Sequence, residues 1–284
     1  MTSDESRRSF TRSEVLEYIV TRYEISSDKV KEPITCALVT DLHNKVYGGD
    51  NRRLIDSIKS ESPDLILCAG DLIVGSENNS YHTALSFVTG LAEIAPVYYS
   101  NGNHETEYRR YSKPMYAAYV RKLKQAGIHL LNNKSCDIVI RSTQIHVAGL
   151  EVSLAKYIKF RKPHCDITYI EEKIGKTPCD DSYVILLAHN PEFYEVYGEW
   201  GADLTVSGHY HGGLVRSPFS GRALLSPYGY PFPKFGVGIK ELSPKHFIIA
   251  SAGLGDHWIP LRIFDPRELV VIRISPDSAN PSYK

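Results

Sequence analysis

The chain has 284 residues, 42% hydrophobic and 23% charged, which suits one large globular domain with a full core or two small ones. Lysine and arginine total 33 and aspartate and glutamate total 33, so no net field draws the chain to nucleic acid or an anionic membrane. The five cysteines (Cys36, Cys68, Cys136, Cys165 and Cys179) are scattered, odd in number and never in C-x-x-C spacing; this excludes a disulfide framework and a thiolate zinc site and fits a reducing, cytoplasmic setting.

Residues 1–14 are polar and expected to fray. Among them Ser6-Arg7-Arg8-Ser9-Phe10 resembles a twin-arginine export signal, but Thr11-Arg12-Ser13-Glu14 follows in place of an apolar segment. No run of about 18 apolar residues occurs anywhere, so no membrane span is expected. Val15 to Ile25 reads as a short helix or an edge strand. Ile34 to Val39 is apolar on both faces, as in a buried sheet, and ends at Thr40-Asp41-Leu42-His43. Asn51 to Lys59 has helical spacing, and Asp64 to Ala69 is a second buried strand ending at Gly70-Asp71. Thr83 to Ile94 reads as a helix and Pro96 to Ser100 as a third strand, followed by Asn101-Gly102-Asn103-His104-Glu105. Pro114 to Gln125 is a helix closed by Gly127, and a hairpin is expected across Ser142-Thr143. Ile167, Ile170 and Ile174 mark a helical stretch, and Tyr183 to Ala188 is a strand ending at His189-Asn190-Pro191. After Leu204-Thr205-Val206 comes Ser207-Gly208-His209-Tyr210-His211-Gly212-Gly213. On an extended strand residues i and i+2 share a face, so His209 and His211 are expected to deliver two imidazoles to one spot. The Pro-, Gly- and Tyr-rich segment that follows, taken as a loop over 215–245, is expected near the active site, with Tyr228 and Tyr230 shaping a pocket. Strands at Phe247 to Ala250 and Leu269 to Ile274 close the chain.

Five segments therefore present Asp41 and His43, Asp71, Asn103 and His104, His189, and His209 with His211 just past strand ends, where ligands gather in α/β sheets. Taken singly, Asp41 and Asp71 also suit helix N-caps or turns, Asn103 a turn, and His189 a cap. A metal centre accounts for all of them at once. Glu105 is expected only to orient its neighbours, Tyr210 to point away from the metals, and Arg109, Arg110 and Arg216 are candidate phosphate contacts.

The series D-x-H, G-D, G-N-H-E, a lone His and G-H-x-H resembles the calcineurin-like metallophosphoesterases from Asp41 to His211. Gly212-Gly213-Leu214-Val215-Arg216, Pro231-Phe232-Pro233-Lys234 and Gly253-Leu254-Gly255 resemble the bacterial branch of small phosphodiesterases and phosphatases. The resemblance implies an α/β fold, the four-layer α-β-β-α sandwich of that family, with two mixed β-sheets flanked by helices in a single domain over 1–284. It implies a metal-dependent phosphoester hydrolase with a dinuclear centre and a bridging hydroxide, acting on a small phosphomonoester or phosphodiester. By the same resemblance the first metal takes Asp41, His43, Asp71 and His211, the second takes Asp71, Asn103, His189 and His209, and His104 contacts the phosphate or protonates the leaving oxygen. Nitrogen and oxygen ligation without thiolate favours Mn, with Fe or Zn as alternatives, over Mg or Ca. An acid and an Arg shortly after Gly70-Asp71, the phosphoprotein-phosphatase form, are absent, so a protein substrate is not expected. The alternative is a non-catalytic scaffold of the same fold, in which the Asn-His pair is typically eroded; Asn103 and His104 are both present.

Overall fold

Buried aliphatic runs build two sheets that face one another. The computed structural model describes residues 17–76, 80–158, 160, 163–213, 215–256 and 262–277, so residues 1–14 lie outside it. Twelve strands form among the described residues: β1 (Ile19–Ser27), β2 (Ile34–Val39), β3 (Leu65–Cys68), β4 (Val97–Tyr99), β5 (His129–Leu130), β6 (Lys134–Ile140), β7 (Thr143–Leu150), β8 (Tyr183–Ala188), β9 (Leu204–Ser207), β10 (Gly238–Ser243), β11 (His246–Ala250) and β12 (Glu268–Pro276). One sheet has the order β1-β12-β2-β3-β4-β5 and the other β10-β11-β9-β8-β7-β6. Both are mixed: β2 to β5 run parallel with β12 antiparallel to β2, while β7, β8, β9 and β11 run parallel between antiparallel edges β6 and β10. Leu38, Leu67, Ile185, Val206, Ile249 and Ile272 belong to the core between the sheets.

The helices α1 (Arg52–Ser60), α2 (His82–Ala92), α3 (Asn103–Tyr111), α4 (Lys113–Gln125), α5 (Ile167–Ile174) and α6 (Tyr194–Trp200) cover the outer faces. Leu54, Phe87 and Leu123 pack from α1, α2 and α4 on Ala37, Ile66 and Val97 of the first sheet. Ile170 and Trp200 pack from α5 and α6 on Ala148 and Leu186 of the second. This is the expected α-β-β-α sandwich. Strands buried on both faces carry no polar side of their own, so the polar chemistry is displaced to their ends.

One open reading is settled and two others change. The stretch near Val15 to Ile25 is an edge strand and not a helix, paired in parallel with β12 from Ile19 opposite Glu268. The hairpin turns one residue early, at Arg141-Ser142, both left-handed (φ 45° and 64°), as a two-residue turn matching strand twist requires. Thr143 is the first residue of β7, opposite Ile140, and its buried hydroxyl accepts the Lys31 N–H at 2.9 Å. The segment 215–245 is not all loop, since β10 occupies Gly238–Ser243; β-bridges Arg216–Ala223 and Leu225–Pro231 stiffen the rest. Helix α3 escaped the periodicity because Asn-His-Glu-Thr-Glu-Tyr-Arg-Arg-Tyr has no apolar stripe. It starts on Glu105, whose carboxylate accepts the Gly102 N–H at 2.9 Å.

Candidate metal centre

The ends of β2, β3, β4, β8 and β9 converge on one point. Val39, Cys68 and Tyr99 stand in register across the first sheet, so the segments leaving them lie side by side. Asp41, Asp71, Asn103, His189 and His211 are all buried. Their ligand atoms fall into overlapping groups: Asp41 with His43 and His211, His43 with Asp71 and His104, and Asp71 with His189 and His209, each within 4.8 Å. The structure thus brings together the predicted acidic and imidazole residues, and Asn103 heads α3 beside them.

The connecting peptides wind tightly. Asp41, His43, Asp71, His209 and His211 all have left-handed backbone, with φ between 45° and 64°. That conformation is uncommon outside glycine, though Asp, Asn and His adopt it more readily than other residues. It corrects the strand-face argument for His209 and His211. Both follow the end of β9, and they diverge: His211 Nε2 sits 3.2 Å from Asp41 Oδ1, whereas His209 groups with Asp71 and His189. Neighbouring glycines admit the carboxylates, since a Cβ on Gly208 would overlap Asp41 Oδ2 and one on Gly102 would overlap Asp71 Oδ1.

Hydrogen bonds fix the directions of these groups. The Asp41 carboxylate accepts the His209 N–H at 3.0 Å and the Thr40 hydroxyl at 2.8 Å. Asp71 Oδ1 accepts the His104 N–H at 2.8 Å. His189 Nδ1 donates to the Ala69 carbonyl at 2.7 Å, which aims Nε2 into the site. That Nε2 lies 2.9 Å from Asp71 Oδ2 yet off the line of a hydrogen bond. Asn103 Oδ1 is buried with no hydrogen-bond partner, a costly orphan unless a cation takes it. The residues therefore fit divalent cations. Beside the site, Arg262 Nη2 lies 3.2 Å from His211 Nδ1, and it donates to the Ala252 carbonyl at 2.9 Å and the Gly255 carbonyl at 2.6 Å.

Charge in the site is balanced internally. Burial pushes Asp41 and Asp71 up, but His211 and His189 around Asp41, and His189 and His104 around Asp71, outweigh it and hold both carboxyls below their ordinary value. Burial, then His104 and His211, hold His43 well below the usual imidazole value. Burial pulls His189 down, but the Asp71 and Asp41 carboxylates lift it to about 9. This raised value stabilises the metal-free protein fully below pH 6.5, and the contribution fades as pH rises through about 9. A proton on His189 occupies the place of a cation. Loading metal at neutral pH should therefore release about one proton from this group. Calorimetry in buffers of differing ionisation enthalpy measures it, and a heat independent of buffer would contradict the assignment.

Glu105 orients its neighbours, as the sequence suggested. Fully buried, it accepts the N–H groups of Asp71, Leu72 and Gly102 at 2.8 to 2.9 Å and the Tyr99 hydroxyl at 2.8 Å. In Glu105→Ala each abandoned N–H costs ~1–3 kcal/mol. The melting midpoint should drop by roughly 2–4 °C per kcal/mol, and an unchanged midpoint would refute this role.

Two of the three candidate phosphate contacts are engaged elsewhere: Arg109 pairs with Glu151, and Arg216 with Asp265 at 2.6 Å. Arg110 stays exposed on α3. Tyr210 does point away, with its hydroxyl on Glu192 and Tyr230. The loop over 215–237 reaches the site, where Tyr228 lies 5.5 Å from the His209 ring. Sequence reasoning missed Arg262, and also Tyr157, whose ring meets His209 edge-on at 4.8 Å. Neither stands in a motif, and only the fold brings them to the histidines.

Two facing mixed sheets with carboxylates and imidazoles at their strand ends define a metal-dependent hydrolase of phosphoric esters. The family model for the calcineurin-like phosphoesterases matches residues 34–213, and the chain belongs to that family. It is 27% identical over 265 residues to an uncharacterized metallophosphoesterase of Aquifex aeolicus, covering 90% of this chain and 91% of that protein. It is 28% identical over 197 residues to phosphodiesterase YaeI of Escherichia coli, covering 69% and 64% of the two chains. A Staphylococcus aureus protein provisionally described as a 5′-nucleotidase shares the fold at TM-score 0.50 and 11% identity, over 89% of this chain and 56% of that one. Among the described residues no helix is long and apolar enough to cross a membrane.

Proposed function

We propose that the protein hydrolyses a small phosphoester, with diesters preferred, at a dinuclear centre held by Asp41, His43, Asp71 and His211 on one side and Asp71, Asn103, His189 and His209 on the other. The observation that carries this reading is the clustering of the carboxylate and imidazole donors into three overlapping groups, each within 4.8 Å, with His43 and Asp71 each shared by two of them. When bound, the two cations supply a bridging hydroxide at neutral pH and offset phosphate charge. Nitrogen and oxygen donors without thiolate suit Mn, Fe or Zn, and Mn is the ion taken for the test. The preference for diesters leans on the likeness to phosphodiesterase YaeI.

The chain's own contribution is to position groups and to offer a hydrogen bond. Glu105 and Ala69 hold Asp71 and His189 in place through the N–H and carbonyl contacts described above. His104 Nδ1 accepts the Gly75 N–H at 2.8 Å, so its proton resides on Nε2, which faces the site 3.9 Å from Asp71 Oδ2. That N–H is placed to donate a hydrogen bond to the leaving oxygen as negative charge develops there.

The test is turnover of bis-nitrophenyl phosphate and of nitrophenyl phosphate by protein stripped with chelator and then reloaded with Mn. Turnover should disappear on stripping and return on reloading, with the diester faster. Metal-independent turnover, or none with two cations bound, would refute the reading.

A further inference from the structure

Phenylalanine is usually buried, yet Phe219 is 99% exposed, Phe160 82% and Phe232 74%. All three belong to one loop system. Phe219 rides the tight turn in which the Gly221 N–H bonds the Ser217 carbonyl at 2.9 Å. The Phe232 N–H returns to the Leu224 carbonyl at 2.9 Å, and the Phe160 N–H bonds the Tyr228 carbonyl at 2.8 Å while its ring lies over Gly229. Phe232 and the turn residues Ser217 and Ser220 wall a cavity of about 700 Å³. Its charged lining is of one sign, Arg222, Lys234 and Lys240, with no carboxylate. Lys240 is braced over the Tyr194 ring at 4.0 Å, and Lys234 reaches Glu195 at 3.2 Å. The inner wall rests on the histidine segment, Gly236 against the Tyr210 ring and Ala223 against Gly213.

Exposed rings beside cations match what an interfacial anchor needs: rings enter the boundary between headgroups and acyl chains, and cations meet lipid phosphates. A second copy of the chain is a poorer occupant. A two-fold contact apposes the same patch on both subunits, setting Arg222, Lys234 and Lys240 against their own duplicates. The chain is neutral as a whole, so the attraction is local to this loop.

We propose that the loop over 217–240 docks the protein onto an anionic bilayer, with Phe219 and Phe232 inserted and Arg222, Lys234 and Lys240 on lipid phosphates. Docking sets the metal centre beside the headgroups, and it does not depend on the reaction proposed above.

The test is co-sedimentation of the full chain with phosphatidylglycerol–phosphatidylcholine vesicles and with phosphatidylcholine vesicles alone. Binding is expected to the anionic vesicles, weakened by high salt. The double variant Phe219→Ser, Phe232→Ser should bind them at least about tenfold more weakly, with hydrolysis of soluble bis-nitrophenyl phosphate unchanged. Arg222→Glu, which leaves both rings in place, should lose the preference for anionic lipid. No binding by the unaltered chain, equal binding to the two vesicle types, or undiminished binding by both variants would overturn the proposal. A dimer dissolved by the phenylalanine changes, without vesicle binding, would overturn it in favour of self-association. Vesicle binding requires no turnover, so its failure and the failure of the hydrolase reading are separate results.

Discussion

Asp71→Ala is expected to lose bound cations and catalysis together, with kcat falling by at least about 10³-fold. Asp71 belongs to two ligand groups and lies 2.9 Å from His189 Nε2, so its removal takes a donor from both halves of the site. Charge stabilisation by a catalytic metal is worth several kcal/mol, and each 1.36 kcal/mol is about a factor of ten in rate. Glu105 still holds the Asp71 N–H in the variant, while the left-handed backbone there (φ 55°) costs alanine about 1–2 kcal/mol of stability, which a melting curve separates from metal loss. Asp71→Asn sharpens the measurement. It keeps an oxygen to accept the His104 N–H at 2.8 Å but removes the anion. Elemental analysis showing two cations per chain in either variant would contradict Asp71 as the shared ligand.

His104→Gln should separate chemistry from metal binding. Both cations should remain, and kcat should fall by about 10²–10³-fold, the usual contribution of a positioned hydrogen-bond donor. His104 also falls within a group of possible ligands, with His43 and Asp71, so metal content discriminates between the two roles. A leaving oxygen that is a poor base gains little from a hydrogen bond. The loss should therefore be smaller for nitrophenyl esters than for alkyl esters. An equal loss on both, or a lost cation, would make His104 a ligand or a purely structural group. The Gly75 N–H that fixes its tautomer is a backbone group, so that part of the arrangement has no side chain to mutate.

The sequence was most informative where an apolar run stopped at a polar residue. The stretches Ile34 to Val39 and Tyr183 to Ala188 are strands with those bounds, because an apolar run buried on both faces ends where the chain leaves the core. Asp41, Asp71 and His189 follow from the same ends. What periodicity could not supply was α3, since a helix that opens at the metal centre presents polar residues all round and is held by Glu105 and by contacts to α4. Nor could it supply the course of Gly208 to Gly213, where the backbone turns left-handed at His209 and at His211 and sends two neighbouring imidazoles to different partners. Arg216 shows a further limit. An exposed-looking arginine in a Pro/Gly-rich sequence turns out to pair with Asp265, which the linear order does not place beside it.

The left-handed backbone at Asp41, His43, Asp71, His209 and His211 restricts how far this site can be retuned. An engineer seeking a different metal would ordinarily exchange imidazole for thiolate or lengthen an aspartate to a glutamate. Here each such replacement must also occupy a conformation that costs an ordinary residue roughly 1–2 kcal/mol. Exchanges among Asp, Asn and His escape much of that penalty. The accessible variants are therefore hard, oxygen- and nitrogen-rich donor sets, and soft-metal versions of this centre would first need their loops rebuilt.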